Sequence, residues 1–307
     1  MTAGWVAVST RGGALLRRLV GLAGAHELAE AATWSQARSQ LAATFYGMEM
    51  TTGCSRAEAR SAATSATVWQ LRVLAGWLPV QASGLARLFA GPTEIANIEG
   101  HLASLGGATT DAPVSLGSLA VAWPRVATTT SSEQVRAVLT HSAWGDPGGA
   151  DPVAVAIGLR VAWARRLVRQ VPETSAWAKG GLAVLIARES FAFGRDIAPV
   201  TGREIDRLVG KGWRQAATIP ELALVLPTSA AWALADIASP ADLWRAELAV
   251  TRRVTAEATQ LAATKRPTKG TVAAVMALLL VDLWRVTAAV ELAGRHPNPS
   301  EVLDAVA

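Results

Sequence analysis

The sequence predicts an all-α protein. Across almost all of its 307 residues, apolar side chains recur three and four positions apart, which is the spacing of one face of an α-helix. No stretch alternates apolar and polar residues in the way that a half-buried strand does. Residues that begin and end helices are frequent, so individual helices can be placed along the chain.

The first third of the chain predicts three long helices. Residues Arg11 to Leu22 form an apolar stripe that leaves Arg17 and Arg18 outside it. Ser55-Arg-Ala-Glu58 is a capping box, and it begins a helix that ends at Leu78-Pro79. The next helix begins at Pro92 and ends at Gly106-Gly107, because proline is favoured at a helix start and glycine just past its end.

The remainder predicts two further helical pairs and a short last helix. Pro152 to Val171 and Thr174 to Gly194 form one pair, which is interrupted by a proline. Ser239-Pro240-Ala-Asp242 begins the other pair, with Ser239 as the capping residue. Its partner helix runs from about Gly270 to Gly294, and Asn298-Pro299 begins the short helix.

Two patterns indicate an internal repeat. A hydroxyl residue stands eight positions before a leucine and another stands three after it, followed by an aromatic residue, in three segments: Thr33–Tyr46, Ser131–Trp144 and, more loosely, Thr218–Trp232. The leucines are 98 and 87 residues apart. The second helix of each pair contains an acidic residue among apolar ones, and these residues are 95 and 93 positions apart: Glu94, Glu189 and Asp282. Two patterns in step favour a triplicated chain.

The composition excludes several classes of protein. One cysteine, Cys54, allows neither an intrachain disulfide nor a cysteine-based zinc site. The longest apolar run, Gly270 to Val281, has twelve residues, whereas a membrane-spanning helix needs roughly 20. The net charge of +5 comes with 25 arginines and four lysines spread along the chain. This spread is typical of a compositional bias; the alternatives are an acidic partner or an anionic membrane surface, whereas a nucleic-acid-binding protein concentrates such charge.

No motif for catalysis or cofactor binding is present. The one Gly-Lys pair, Gly210-Lys211, is followed by Gly212 and lacks the glycine-rich loop that holds phosphates. The four histidines are scattered, and the aspartates do not cluster as magnesium ligands would. The three repeated acids are interpreted either as helix residues paired with nearby arginines such as Arg188 or Arg285, or as polar contacts along a shared cavity. The twelve tryptophans are interpreted as core residues or as anchors of an interface.

Several of these motifs resemble one family. Ser9-Thr-Arg-Gly-Gly-Ala-Leu-Leu-Arg-Arg, followed by the segment ending Leu41-Ala-Ala-Thr-Phe-Tyr46, resembles the start of the central-stalk coupling subunit of V/A-type ATPases, which is C-type in bacteria and archaea and d-type in eukaryotes. Further likenesses to the acidic-x-x-Asn helix, the Leu-Gly element and the last helix and tail of that family lie in Glu94-Ile-Ala-Asn97-Ile-Glu, Ser115-Leu-Gly117, and Asp282 to Ala307 with Pro299-Ser-Glu301.

The resemblance implies a specific architecture and role. Members of the family are all-helical, with three similar domains around a pseudo-threefold axis that form a funnel on the cytoplasmic face of the proteolipid ring. The rotating central stalk enters the funnel, and the family member couples the two without a catalytic site, cofactor or metal. For this chain it implies helical repeats at 1–112, which includes the N-terminal helix, 113–212 and 213–307. It implies a cytoplasmic location at the membrane periphery, with the stalk subunits and the proteolipid ring as partners and no nucleic acid.

The expected interface residues combine the resemblance with the repeated acids. Arg17 and Arg18 are the candidates for contact near anionic lipid headgroups. The full candidate set is Arg17, Arg18, Glu94, Asn97, Glu189 and Asp282. Three alternatives stay open: a stand-alone helical scaffold that binds a protein in its concave face, a basic nucleic-acid-binding module, and an enzyme whose polar groups converge in a buried pocket.

Overall fold

The chain folds into α-helices, which confirms the predicted fold class. A computed structural model describes residues 3–264 and 267–295, and within these ranges it contains no strand. The short helix predicted at Asn298-Pro299 lies outside the described residues.

The helices assemble into two compact units. Unit 1 combines residues within 1–90, 112–119 and 254–307, and unit 2 combines residues 91–111 and 120–253. The three-repeat division at 1–112, 113–212 and 213–307 stays a prediction.

Unit 1 brings the two ends of the described chain into one core. Its helices are α1 (Ala3–Leu16), α2 (Gly21–Ala29), α3 (Trp34–Ala42), α4 (Arg56–Trp77), α5 (Gly84–Phe89) and α15 (Lys269–Leu292). Helix α15 is the centre of this unit, because it packs against α1, α2, α4 and α5. By length and composition it is also the one helix of the described chain that could cross a membrane, yet 61% of its most apolar window is buried inside the protein.

The ends of the long helices in unit 1 follow the predicted signals. The Ser55 hydroxyl accepts the N–H of Glu58, and the Glu58 carboxylate accepts the N–H of Ser55, so the capping box is confirmed. Helix α4 then runs to Trp77. Helix α15 ends two residues before Gly294, whose φ of 65° is a conformation that glycine adopts without strain.

The first predicted helix has the wrong bounds. The structure begins α1 at Ala3, ends it at Leu16 and starts α2 at Gly21, whereas the apolar stripe predicted one helix from Arg11 to Leu22. The cause lies far away in sequence: the Asp282 carboxylate accepts the N–H groups of Val20 and Gly21. These amides would otherwise bond to carbonyls one turn earlier in a continuing helix.

Unit 2 has its own core around α9 and α10, which pack against each other. Its helices are α6 (Gly91–Leu105), α7 (Trp123–Val126), α8 (Ser132–Thr140), α9 (Pro152–Gln170), α10 (Ser175–Ala187), α11 (Pro199–Val209), α12 (Ile219–Val225) and α13 (Thr228–Ala231). Helix α14 (Leu243–Ala262) crosses the division between the units, after Arg253.

Two predicted details of unit 2 are corrected. The helix predicted from Thr174 to Gly194 is an α-helix only to Ala187 and continues as a π-helical turn over Arg188–Ala192, which contains Glu189. Ser239 does not cap a helix with its side chain. Its hydroxyl donates to the Asp242 carboxylate instead, at 2.9 Å, and a 3₁₀ turn over Pro240–Asp242 precedes α14.

Candidate functional site

The three repeated acids lie in the interior of the units. Glu94, Glu189 and Asp282 are 1%, 4% and 1% exposed. A buried carboxylate is costly unless hydrogen bonds or an opposite charge compensate it. Their partners therefore show what each acid does in the fold.

Asp282 holds the N-terminal region of unit 1 against α15. One carboxylate oxygen accepts the N–H of Val20 at 3.0 Å and the Tyr46 hydroxyl at 2.8 Å, and the other accepts the N–H of Gly21 at 2.7 Å. The negative charge also faces the positive, N-terminal end of α2, which begins at Gly21. Burial raises the pKa of Tyr46 well above its ordinary value, and the Asp282 charge adds to the effect. Three elements that are distant in sequence thus meet at one carboxylate.

Glu94 makes the corresponding contact in unit 2. One of its carboxylate oxygens, Oε1, accepts three successive backbone N–H groups, from Val121 at 2.9 Å, Ala122 at 2.6 Å and Trp123 at 2.7 Å. These amides form the N-terminus of α7, where backbone donors have no partner within the helix. Glu94 and Asp282 therefore do the same job, since each acid lies on a core helix and fixes the start of a later or earlier short helix.

A buried polar cluster surrounds the second oxygen of Glu94. Glu94 Oε2, Trp144 Nε1 and Arg166 Nη1 are buried atoms without a hydrogen-bond partner. The Arg166 guanidinium lies 4.9 Å from the centre of the Trp144 ring. Burial lowers the pKa of Arg166, while the Glu94 charge acts in the opposite direction. Unpaired donors and an unpaired acceptor in one place are the setting in which proteins hold an internal water molecule.

Glu189 has partners of a different kind. Its two carboxylate oxygens accept hydrogen bonds from Arg188 at 3.1 Å and from Arg195 at 3.0 Å. Arg188 also lies 3.6 Å from the Glu247 carboxylate on α14. Pairing with Arg188 was one of the two interpretations of this acid, and the structure confirms it. For Asp282 the predicted partner Arg285 is not within ion-pair distance, and the amides and Tyr46 take its place.

The other candidates divide between interior and surface. Asn97 lies one turn beyond Glu94 on α6 and is 7% exposed. Arg17 and Arg18 are exposed in the turn that follows α1, and the Arg18 guanidinium lies 6.0 Å from the Phe45 ring. The structure thus brings together Glu94 and Asn97 only, and the direct contact of any candidate with a partner stays a prediction.

The repeated hydroxyl motif produces the same local structure at its start in all three segments. The side chains of Thr33, Ser131 and Thr218 each cap a short helix by accepting the N–H three residues later. The residue that donates this N–H returns the bond with its own side chain, which accepts an N–H just before the cap: Gln36, Gln134 and Glu221. Sequence reasoning missed these three side chains, although the spacing Ser/Thr-x-x-Gln/Glu is the signal for them.

The end of the motif agrees in two segments and differs in the third. The hydroxyls of Thr44 and Ser142 each donate to the carbonyl of the motif leucine three residues earlier, at 2.8 and 2.7 Å. Each hydroxyl oxygen also accepts the N–H of the aromatic residue that follows, Tyr46 or Trp144. In the third segment Pro227 follows the leucine, and a new helix, α13, begins at Thr228. Proline cannot continue the turn, so the third segment takes another course.

The described side chains do not form a metal site. Within residues 3–264 and 267–295, no group of three or more His, Cys, Asp or Glu side chains could hold a metal ion. Cys54 is buried, and burial raises the pKa of its thiol.

Among known proteins, no protein-family model and no curated protein matches the chain.

Proposed function

We propose that the protein is a non-catalytic subunit of a V/A-type rotary ATPase that couples the central rotor stalk to the membrane proteolipid ring. The proposal combines the motif resemblance at both ends of the chain with the all-α fold. The three helical repeats, at 1–112, 113–212 and 213–307, belong to this proposal. So do the cytoplasmic location at the membrane periphery and the two partners.

The contact of Asp282 with the N-terminal region carries the proposal. Glu94, in the first predicted repeat, fixes the start of α7 in the second. Asp282, in the third predicted repeat, fixes the start of α2 in the first. A linear array of repeats has no reason to join its last repeat to its first. A closed arrangement of three repeats, which the coupling role requires, does have that reason.

The role is mechanical, and the buried acids suit it. A coupling subunit has to transmit torque between two partners without yielding. Charge-assisted hydrogen bonds from a buried carboxylate to backbone amides are short and strong, and they fix one helix against the start of another. Asp282 and Glu94 hold such bonds at 2.6 to 3.0 Å. By this proposal they keep the repeats rigid, while other side chains make the contacts with stalk and ring.

A gentle pull-down from native membranes at low salt tests the proposal. The tagged full chain is expected to bring down the stalk subunits and the proteolipid, as identified by mass spectrometry. An identically tagged soluble protein of similar charge serves as the control for adhesion to membranes. Recovery of the full chain alone, from the cytosolic fraction, would contradict the rotary role.

A stand-alone scaffold is the second candidate, because unit 2 exposes aromatic side chains next to arginines. Phe193 is 53% exposed with the Arg195 guanidinium 4.3 Å from its ring, and Trp244 is 46% exposed with Arg245 at 5.2 Å. Exposed aromatic–arginine pairs are enriched in protein interfaces. Under this alternative the same pull-down recovers a soluble partner without any ATPase subunit.

A further inference from the structure

One end of unit 1 exposes apolar side chains that lie next to one another. Val6 on α1 is 50% exposed, Trp77 at the end of α4 is 48% exposed, and Val80 in the following turn is 88% exposed. A Cβ atom on Gly4 would lie 3.3 Å from Pro79 and from the Trp77 carbonyl, so the start of α1 touches this turn. The Arg11 guanidinium lies 5.9 Å from the centre of the Trp77 ring. We name Val6, Arg11, Trp77 and Val80 the α1–α4 patch.

The sequence around the α1–α4 patch is basic and free of acids. Residues 3–26 and 59–90 contain six arginines and neither Asp nor Glu. Arg11, Arg17 and Arg18 are exposed, and none of them forms an ion pair within the part of the chain that the structure describes. Positive charge without a carboxylate nearby, beside half-exposed tryptophan and protruding valine, matches a partner that is anionic outside and apolar beneath.

We propose that the α1–α4 patch docks directly on the surface of a lipid bilayer that carries anionic headgroups. Tryptophan favours the headgroup level, because its ring is apolar and its N–H is polar. Arginine buries its methylene groups along apolar surface and keeps its charge at the phosphates. Val80 projects from a turn with almost its whole side chain in solvent, as a residue that inserts among headgroups would. This inference does not depend on the rotary role, because it concerns lipid alone.

A membrane is favoured over an acidic protein or RNA by the shape of the feature. RNA-binding surfaces concentrate basic and stacking side chains along a groove, whereas here three arginines accompany protruding aliphatic groups. A folded acidic protein would need a pocket for each of these groups, while a bilayer interface accommodates them without one.

Vesicle flotation with the purified full chain tests the proposal. The probes are vesicles of phosphatidylcholine alone and vesicles in which about a third of the lipid is phosphatidylglycerol. With three arginines near the surface, we expect binding to anionic vesicles to exceed binding to neutral ones by about a hundredfold at low salt. Binding is expected to fall when the salt is raised from about 0.05 to 0.5 M, since screening shortens the reach of these charges.

Single-residue variants locate the contact. Val80→Asp is expected to weaken binding to anionic vesicles roughly tenfold, and Arg11→Gln about fivefold. Leu224→Asp is the matched control for Val80→Asp, because Leu224 is 85% exposed but lies on α12 in unit 2. Circular dichroism confirms that each variant is folded.

Three outcomes would overturn the proposal. They are equal binding to neutral and anionic vesicles, equal losses for Val80→Asp and Leu224→Asp, and retention on polyglutamate or RNA without binding to vesicles. The last outcome would identify a soluble acidic partner for the α1–α4 patch. A positive pull-down of ATPase subunits together with absent lipid binding would separate this inference from the proposed function.

Discussion

Replacing Asp282 with asparagine removes a charge and changes almost no volume. The wild-type carboxylate accepts three hydrogen bonds, from Val20, Gly21 and Tyr46, and is 1% exposed. An asparagine side chain has one acceptor oxygen and an NH₂ group that only donates. Whichever way the amide turns, its NH₂ faces at least one backbone N–H that it cannot satisfy.

The expected cost follows from these bonds. A hydrogen bond to a charged group contributes roughly 1.5–3 kcal/mol, and a buried donor left without a partner costs roughly 1–3 kcal/mol. If the amide oxygen keeps Val20 and Tyr46 and the NH₂ faces Gly21, the variant loses one such bond and weakens two. We therefore expect Asp282→Asn to lower the free energy of unfolding by about 3 kcal/mol, and Tm by roughly 6 °C for a chain of this size.

Urea unfolding followed by circular dichroism and tryptophan fluorescence measures the loss. The matched control is Glu291→Gln, the same type of change on the same helix. Glu291 is 38% exposed and pairs with Arg60 and Arg295 on the surface, so its removal should cost below about 1 kcal/mol. If Asp282→Asn costs no more than Glu291→Gln, Asp282 does not hold the N-terminal region in place and the reasoning is refuted.

Two further predictions concern unit 2. Gly180→Ala should destabilise by roughly 1–3 kcal/mol, because the added Cβ would collide with the Trp232 ring, while Gly181→Ala on the same helix meets open space and should stabilise by roughly 0.5–1 kcal/mol; thermal unfolding of the two variants checks the difference in sign. The Arg136 guanidinium and a backbone N–H hold the pKa of Asp146 below its ordinary value, so this acid contributes stability above about pH 4 that is lost as pH falls through its folded-state pKa. Asp146→Asn should therefore reduce stability at pH 7 and flatten the decline between about pH 5 and pH 3, and parallel urea midpoints that keep the wild-type slope would contradict this.

The sequence predicted those parts of the fold that depend on neighbours in the chain. The Ser55–Glu58 capping box and the hydroxyl caps at Thr33, Ser131 and Thr218 need only residues three positions apart. Such short-range signals act before any tertiary contact forms, so they can be recognised without the fold.

Features set by distant residues could not be predicted in the same way. The apolar stripe continues across residues 17–20, but α1 ends at Leu16 because Asp282 takes the amides of Val20 and Gly21. The spacing of the three acids was visible, whereas the nature of their partners was not. Glu94 and Asp282 bind backbone amides, while Glu189 binds arginines. The unpaired atoms of Trp144 and Arg166 beside Glu94 depend on packing that no local pattern records.

Coupling between ATP hydrolysis and ion movement is the most direct test of the proposed role. Inverted membrane vesicles from cells that lack the protein should show no ATP-driven proton or sodium uptake through the V/A-type ATPase, although its soluble sector still hydrolyses ATP. Adding back the purified full chain should restore uptake. Undiminished uptake in the absence of the protein would contradict the proposed role.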